Sequence, residues 1–138
     1  MFSSFNMSPV SKSFTYIYRI FNPKGRIRNL TLKAIATHQH RLSAGKTEMA
    51  FFRMQLFVTN LRYTSFWASG IVSPFHTYDF YEPRSADRYY VSPRYGTFSF
   101  NYSSDYRKPL AIDGGFSVKF IEYDGSAITA FFEPRIRL

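Results

Sequence analysis

The sequence predicts an all-β fold: an antiparallel β-sandwich or partly open β-barrel of about seven strands, with at most one short helix. Three observations support this fold class. Aromatic residues make up 20% of the chain, and aromatic side chains are enriched in strands. Apolar residues alternate with other residues over several segments, as they do along a strand. The dipeptide Asp124-Gly125 separates two apolar segments, which is a strong hairpin signal.

The first third of the chain predicts an arm followed by a strand. Residues 1–12 are rich in serine and interrupted by Pro9, so we expect an N-terminal arm there and a single β-rich domain over residues 13–138. Residues 13–21 alternate like a strand, and the turn-forming segment 22–25 contains both proline and glycine. We therefore expect the chain to reverse direction directly after the first strand.

The middle of the chain contains one ambiguous segment and two clearer strands. Residues 29–45 fit a strand or, with Asn29 as N-cap and Gly45 after the C-terminus, a helix. We expect a strand followed by a loop or short helix. Residues 48–60 alternate as a central strand, and residues 62–72 are its expected antiparallel partner.

The last third of the chain is expected to end in a hairpin over residues 116–133. Prolines interrupt the preceding segment, where only residues 96–103 predict a clear strand, and residues 112–115 predict a turn. A two-residue turn at Asp124-Gly125 pairs Ile121 with Ile128 and leaves both faces of the hairpin apolar. We therefore expect cover on both faces, from a second sheet or a neighbouring subunit.

Positive charge is concentrated in the first third of the chain. The net charge is +9. Eight basic residues precede the first carboxylate, Glu48, whereas ten basic and nine acidic residues share the rest of the chain. A solvated basic face is one interpretation, but a field of one sign more often indicates a polyanionic partner such as nucleic acid. The candidate polyanion-facing residues are Arg19, Lys24, Arg26, Arg28, Lys33, Arg41 and Lys46.

A second candidate surface combines tyrosine with arginine. Both residue types are enriched at the anchors of protein interfaces, and acidic residues balance the arginines of this segment. We therefore expect it to contact protein rather than nucleic acid. The candidate interface residues are Tyr78, Tyr81, Arg84, Arg88, Tyr89, Tyr90, Arg94 and Tyr95.

No catalytic signature is present in the sequence. The chain has no cysteine, and the pair His38 and His40 is too small for a zinc site. A nucleophile elbow, a phosphate-binding loop and a dinucleotide fingerprint are all absent. We therefore expect no enzyme activity, no catalytic residue, no metal and no cofactor. Because no apolar run approaches the roughly 20 residues of a spanning helix, we also expect no membrane partner.

These features predict a non-enzymatic structural subunit of a larger nucleic-acid-containing assembly. We expect a virus or phage virion protein of the capsid, tail or connector, located in the virion and acting through packing against copies of itself or other subunits. One alternative is a single-stranded nucleic-acid-binding protein with an OB-like barrel. Another is a small subunit of a ribosome or organellar complex, with a cytoplasmic or organellar location.

Overall fold

The computed structural model describes residues 9–80 and 88–136, and every regular element in them is a strand. The all-β prediction is therefore confirmed. The strands are β1 (Val10–Ile20), β2 (Ile27–Arg41), β3 (Lys46–Asn60), β4 (Ser65–Ser73), β5 (Thr77–Asp79), β6 (Tyr90–Ser92), β7 (Tyr95–Ser103), β8 (Leu110–Ile121) and β9 (Gly125–Ile136). Residues 1–8 of the predicted arm, and the interface candidates Tyr81 and Arg84, lie outside the described residues.

Seven of these strands form one antiparallel sheet in the order β1-β2-β3-β4-β7-β8-β9, and β5 and β6 form a separate two-stranded sheet. The order follows the chain because short turns join most neighbours, and a short turn can join only antiparallel strands. The large sheet is not closed into a barrel. Strands β1 and β9 therefore lie at its opposite edges.

The ambiguous segment after the first turn is a strand, so the helix alternative is wrong. Strand β2 continues to Arg41 without a helical turn, and it pairs with β1 on one side and β3 on the other. Leu30 and Leu32 lie on the same face as Val58 and Leu56 of β3. A strand places these apolar side chains in one row, and pairing on both sides outweighs the helix-capping signals.

The final hairpin forms, but its predicted register is wrong. Ile121 pairs with Gly125, and Val118 pairs with Ile128. The connection is three residues long, and Tyr123 in its middle has a φ of 71°. The predicted and observed registers differ by an odd number of residues, so every side chain of β9 lies on the face opposite to the predicted one. The hairpin consequently has one apolar face and one mixed face.

The predicted turn at residues 112–115 is also wrong, because these residues lie inside β8. Asp113 and Gly114 pair with Glu133 and Phe132 of β9. The two adjacent glycines suggested a chain reversal. In the sheet, Gly115 instead leaves space for the ring of Phe131, which lies 2.9 Å from the position that a Cβ of residue 115 would take.

The turn before β9 supports a first testable prediction. Gly125 has a φ of 91°, a region that a β-branched residue strongly resists. We expect Gly125→Val to lower the free energy of unfolding by at least about 1 kcal/mol, measured by equilibrium urea unfolding. Ala127→Val on the same strand is the matched control and should have little effect. Equal stability of the two variants would show that this φ is not required.

The sheet lacks a conventional core. No large side chain of the described residues is fully buried, and Ala50 and Ala111 are their buried apolar residues. Large apolar side chains remain accessible, including Phe14 at 66%, Ile128 at 75% and Phe132 at 70%.

The described residues contain no helix that is long and apolar enough to cross a membrane.

Candidate interaction surfaces

One face of the seven-stranded sheet is apolar from edge to edge. The strand registers place even-numbered residues on this face, in four rows that run across all seven strands. Apart from Ser126, each residue in these rows is aliphatic, aromatic, methionine or glycine. We call this surface the apolar face; it comprises the even-numbered residues of 14–20, 30–36, 52–58, 66–72, 96–102, 114–120 and 126–132.

Aromatic rings contact one another in the centre of the apolar face. Phe100 lies 6.3 Å from Phe66 and 5.9 Å from Phe116 between ring centroids, and Phe98 lies 5.9 Å from Phe116. These contacts are lateral, between neighbouring strands of one layer. They stabilise the sheet in its plane, but Phe98 and Phe116 remain 46% and 39% exposed.

The opposite face is mixed and mainly polar. It carries the odd-numbered residues of the same strands, including Lys33, Gln55, Ser69, Ser99 and Ser117. Several apolar side chains interrupt it: Ile17, Ile35, Phe57, Trp67, Ile71 and Phe131. We call this surface the polar face. An antiparallel sheet with one apolar and one polar face is amphipathic, so its two faces require different surroundings.

The strand connections also differ between the two ends of the sheet. The turn end comprises the short connections 21–26, 61–64 and 104–109, and the loop end comprises the connections 42–45 and 122–124 with the long connection after β4. At the loop end, β5 packs near β3, and β6 pairs with β5. Lys46 Nζ lies 4.2 Å from the ring centroid of Tyr78 and 4.7 Å from that of Tyr89.

Two carboxylates organise the loop end. Glu48 binds Arg41 in an ion pair and accepts a hydrogen bond of 2.8 Å from Gln39. Glu122 accepts hydrogen bonds from Arg94 Nε at 3.0 Å and from the backbone N–H of Arg94 at 3.2 Å, and its Oε2 lies 2.7 Å from His76 Nε2. The side-chain hydrogen bond from Arg94 lowers the pKa of Glu122 to about 2. The contacts of Glu122 with His76 and Arg94 attach the long connection after β4 to the end of β8.

Basic residues from three separate turns lie at the turn end. Leu61 N–H donates to the carbonyl of Arg26 at 3.1 Å, which joins the first two turns. The ring of Tyr63 contacts two guanidinium groups, with Arg28 at 4.2 Å and Arg107 at 3.3 Å from the centroid. Asp105 is paired with Arg107 at 2.8 Å, and the hydrogen bonds from Arg107 lower the pKa of Asp105 to about 2. The exposed cations of this end are Lys24, Arg26, Arg28, Arg62, Arg107 and Lys108.

The predicted polyanion-facing residues do not form one surface. Lys24, Arg26 and Arg28 lie together at the turn end. Arg19 and Lys33 lie on the polar face. The remaining two candidates lie at the loop end, where Arg41 pairs with Glu48 and Lys46 contacts two tyrosine rings. Arg62, Arg107 and Lys108 were not among the predicted residues, because only the fold brings their turns next to that of Arg26.

The described interface candidates lie at the loop end in four different environments. Tyr78 and Tyr89 contact each other with ring centroids 5.2 Å apart, and Arg94 is held by Glu122. Tyr95 begins β7 and pairs with Ile121. Arg88 and Tyr90 are exposed. Tyr89 and Arg94 are exposed as well, although each also makes the contact described above.

Other polar side chains of the described residues make local contacts within the sheet. Asp113 accepts a hydrogen bond from Tyr106 and lies 3.3 Å from Arg135 Nε. His38 lies 3.3 Å from Thr47 Oγ1 and stacks on His40. In the described part of the chain, no group of three or more His, Cys, Asp or Glu side chains could hold a metal ion.

Comparison with known proteins assigns a family to this uncovered sheet. The model of DUF5916, a domain of unknown function, matches residues 3–138. The chain belongs to the DUF5916 family. Comparisons with curated proteins and with solved structures give no match. The DUF5916 match includes all seven strands of the sheet, and with them both of its faces and the turn end.

Proposed function

We propose that this protein is a non-enzymatic structural subunit of a larger assembly, in which it acts by packing and strand pairing. The observation that carries the proposal is the apolar face, on which large side chains remain exposed, among them Phe14 at 66% and Phe132 at 70%. From strand spacing and residue rise, this face measures roughly 27 Å by 29 Å, or on the order of 800 Å². Apolar patches on monomeric soluble proteins rarely exceed a few hundred Å².

The two edges of the sheet add a second mode of assembly. Among the described residues, β1 pairs only with β2, and β9 pairs only with β8. Each edge therefore presents a row of backbone N–H and C=O groups that can pair with a further strand. Strand β1 has eleven residues and β9 has twelve, which is long for an edge strand, and every second residue can pair outward.

Pro134 identifies which backbone groups of β9 point outward. The carbonyl of Ile112 accepts a hydrogen bond from Ser104, on the β7 side. Ile112 and its partner Pro134 are therefore a non-hydrogen-bonded pair, and the nitrogen of Pro134 points away from β8. Outward positions alternate along a strand, so the N–H group of Ala130 points outward as well, whereas that of Thr129 points toward β8.

A proline substitution can therefore block the edge selectively. We expect Ala130→Pro to reduce the mass of any assembly that forms through β9 while preserving the β content of the chain, because proline is tolerated at an outward edge position. Mass is measured by light scattering and β content by circular dichroism. Thr129→Pro is the matched control, which should unfold the hairpin because it removes a ladder hydrogen bond. An assembly unchanged by Ala130→Pro would exclude pairing through this edge.

The finer prediction, a virion or another nucleic-acid-containing particle, is supported by the exposed cations of the turn end. The connections of this end contain Lys24, Arg26, Arg62, Arg107 and Lys108, against one carboxylate, Asp105. Such a surface can offset the charge of packaged phosphates.

The test is the mass of the purified chain with nucleic acid removed. An oligomer that persists at high salt supports the structural subunit, and a monomer that binds single-stranded nucleic acid in a salt-dependent manner supports the OB-like alternative.

A further inference from the structure

We propose that the apolar face contacts the hydrocarbon of a lipid bilayer, with the cations of the turn end at the level of the phosphate headgroups. This inference specifies the occupant of the face and relies on the proposed function only for the pairing of the two edges. Backbone groups exposed in hydrocarbon must be paired. The edges β1 and β9 would therefore need further strands beside them.

The dimensions of the apolar face fit a bilayer. On β3 the face has no polar side chain from Phe52 to Val58. This distance is about 20 Å between Cα atoms along an extended strand, or about 27 Å when the full two-residue repeat of each of the four rows is counted. The hydrocarbon core of a typical bilayer is about 30 Å thick. Strands of this length with apolar residues at every second position are typical of sheets that face lipid on one side.

The distribution of apolar residues favours lipid over a second protein. A protein interface has an apolar centre surrounded by a polar rim, and it contains hydrogen bonds that set the orientation of the partner. Here the edge strands are as apolar as the centre: β1 contributes Phe14 and Tyr16 to the face, and β9 contributes Ile128 and Phe132. No ion pair of the described residues lies within the four rows of this face. Lipid requires no such orienting contacts.

The turn end complements an anionic membrane surface. Tyr102 lies in the row nearest the turn end, and Tyr18 lies in the next row, where tyrosine rings would meet the boundary between hydrocarbon and headgroups. Beyond these rows lie the exposed cations of the turn end, among them Arg26, Arg28 and Arg62. Each cation near an anionic lipid surface adds to membrane binding.

Vesicle flotation of the full-length chain tests this inference. The chain is diluted from urea into vesicles of phosphatidylcholine alone, or of phosphatidylcholine with about one third phosphatidylglycerol. We expect the chain to float with both kinds, and with the anionic vesicles at least about threefold more strongly. Arg26→Glu with Arg28→Glu should abolish this preference, and competition with free DNA distinguishes headgroup phosphates from nucleic-acid phosphates.

Two adjacent residues of β3 provide a matched pair of variants. Met54 lies in the third row of the apolar face and is 49% exposed, whereas Gln55 lies on the polar face. We expect Met54→Lys to reduce the bound fraction at least about tenfold, because a lysine in the hydrocarbon region is strongly unfavourable. Gln55→Lys should change binding less than about twofold. Circular dichroism confirms the strand content of each bound variant.

Three results would overturn the inference. One is a folded chain that floats with neither kind of vesicle. Another is equal loss of binding in the Met54→Lys and Gln55→Lys variants. The third is a soluble oligomer that does not bind vesicles and that dissociates in the Met54→Lys variant. This result would assign the apolar face to contact with a second copy of the chain. That third result would leave the proposed structural function intact, so the two proposals can fail separately.

Discussion

Gly115→Ala is expected to destabilise the sheet by about 2–3 kcal/mol. A Cβ at this position would lie 2.6 Å from the backbone oxygen of Phe100, 2.6 Å from Oδ1 of Asn101 and 2.9 Å from the ring of Phe131. The side chains can move, but the Phe100 oxygen belongs to the adjacent strand and cannot move without separating β7 from β8. Urea unfolding, monitored by the single tryptophan, Trp67, measures this change. Trp67 lies in the same row of the sheet as Gly115.

Gly96→Ala is the matched control for this substitution. The nearest atom to a Cβ at residue 96 is the backbone oxygen of Ile71 at 3.8 Å, an ordinary contact distance. We expect Gly96→Ala to lie within about 1 kcal/mol of the natural chain, with a small gain because alanine restricts the unfolded state. If both variants are equally stable, then β7 and β8 do not approach each other as closely as the structure describes.

Charge reversal at the turn end is expected to weaken polyanion binding without unfolding the chain. Arg26→Glu with Arg28→Glu removes two exposed cations and places two carboxylates beside the remaining ones. We expect the affinity for heparin or single-stranded DNA to fall at least about tenfold at low salt, with a smaller dependence of affinity on salt concentration. Fluorescence anisotropy at several salt concentrations measures both quantities.

Arg53→Glu with Lys119→Glu controls for net charge, because this pair of substitutions changes the total charge equally. Both residues lie on the polar face, away from the turn end. Binding that falls equally in the two double variants would indicate a general effect of net charge rather than a site. Unchanged binding in the Arg26→Glu with Arg28→Glu variant would remove the turn end as a phosphate-contacting surface, for nucleic acid and lipid alike.

The turn end illustrates how a functional surface is only partly encoded in local sequence. Lys24, Arg26 and Arg28 are neighbours in the chain, and all three were among the predicted polyanion-facing residues. Arg62 and Arg107 belong to other turns. Their positions beside Arg26 and Tyr63 follow from antiparallel pairing, which returns every second connection to the same end of the sheet.

The sequence by itself determined the fold class and most strand positions. Alternation of apolar residues predicted strands over residues 13–21, 48–60, 62–72 and 96–103, and each overlaps an observed strand. These predictions succeeded because the alternation of side chains is a local property of an extended backbone. The concentration of positive charge in the first third of the chain is likewise a property of the sequence alone.

Only the tertiary structure decided the register and therefore the apolar face. Asp124-Gly125 predicted a two-residue turn, yet the hairpin uses a three-residue connection with Tyr123 at positive φ. The choice between these turns depends on which residues of β9 pair with Phe116 and Val118 of β8. Those two residues are in turn paired with β7. A shift by one residue exchanges the two faces of a strand. Long-range pairing thus places the apolar residues of all seven strands on one side, which no local pattern could specify.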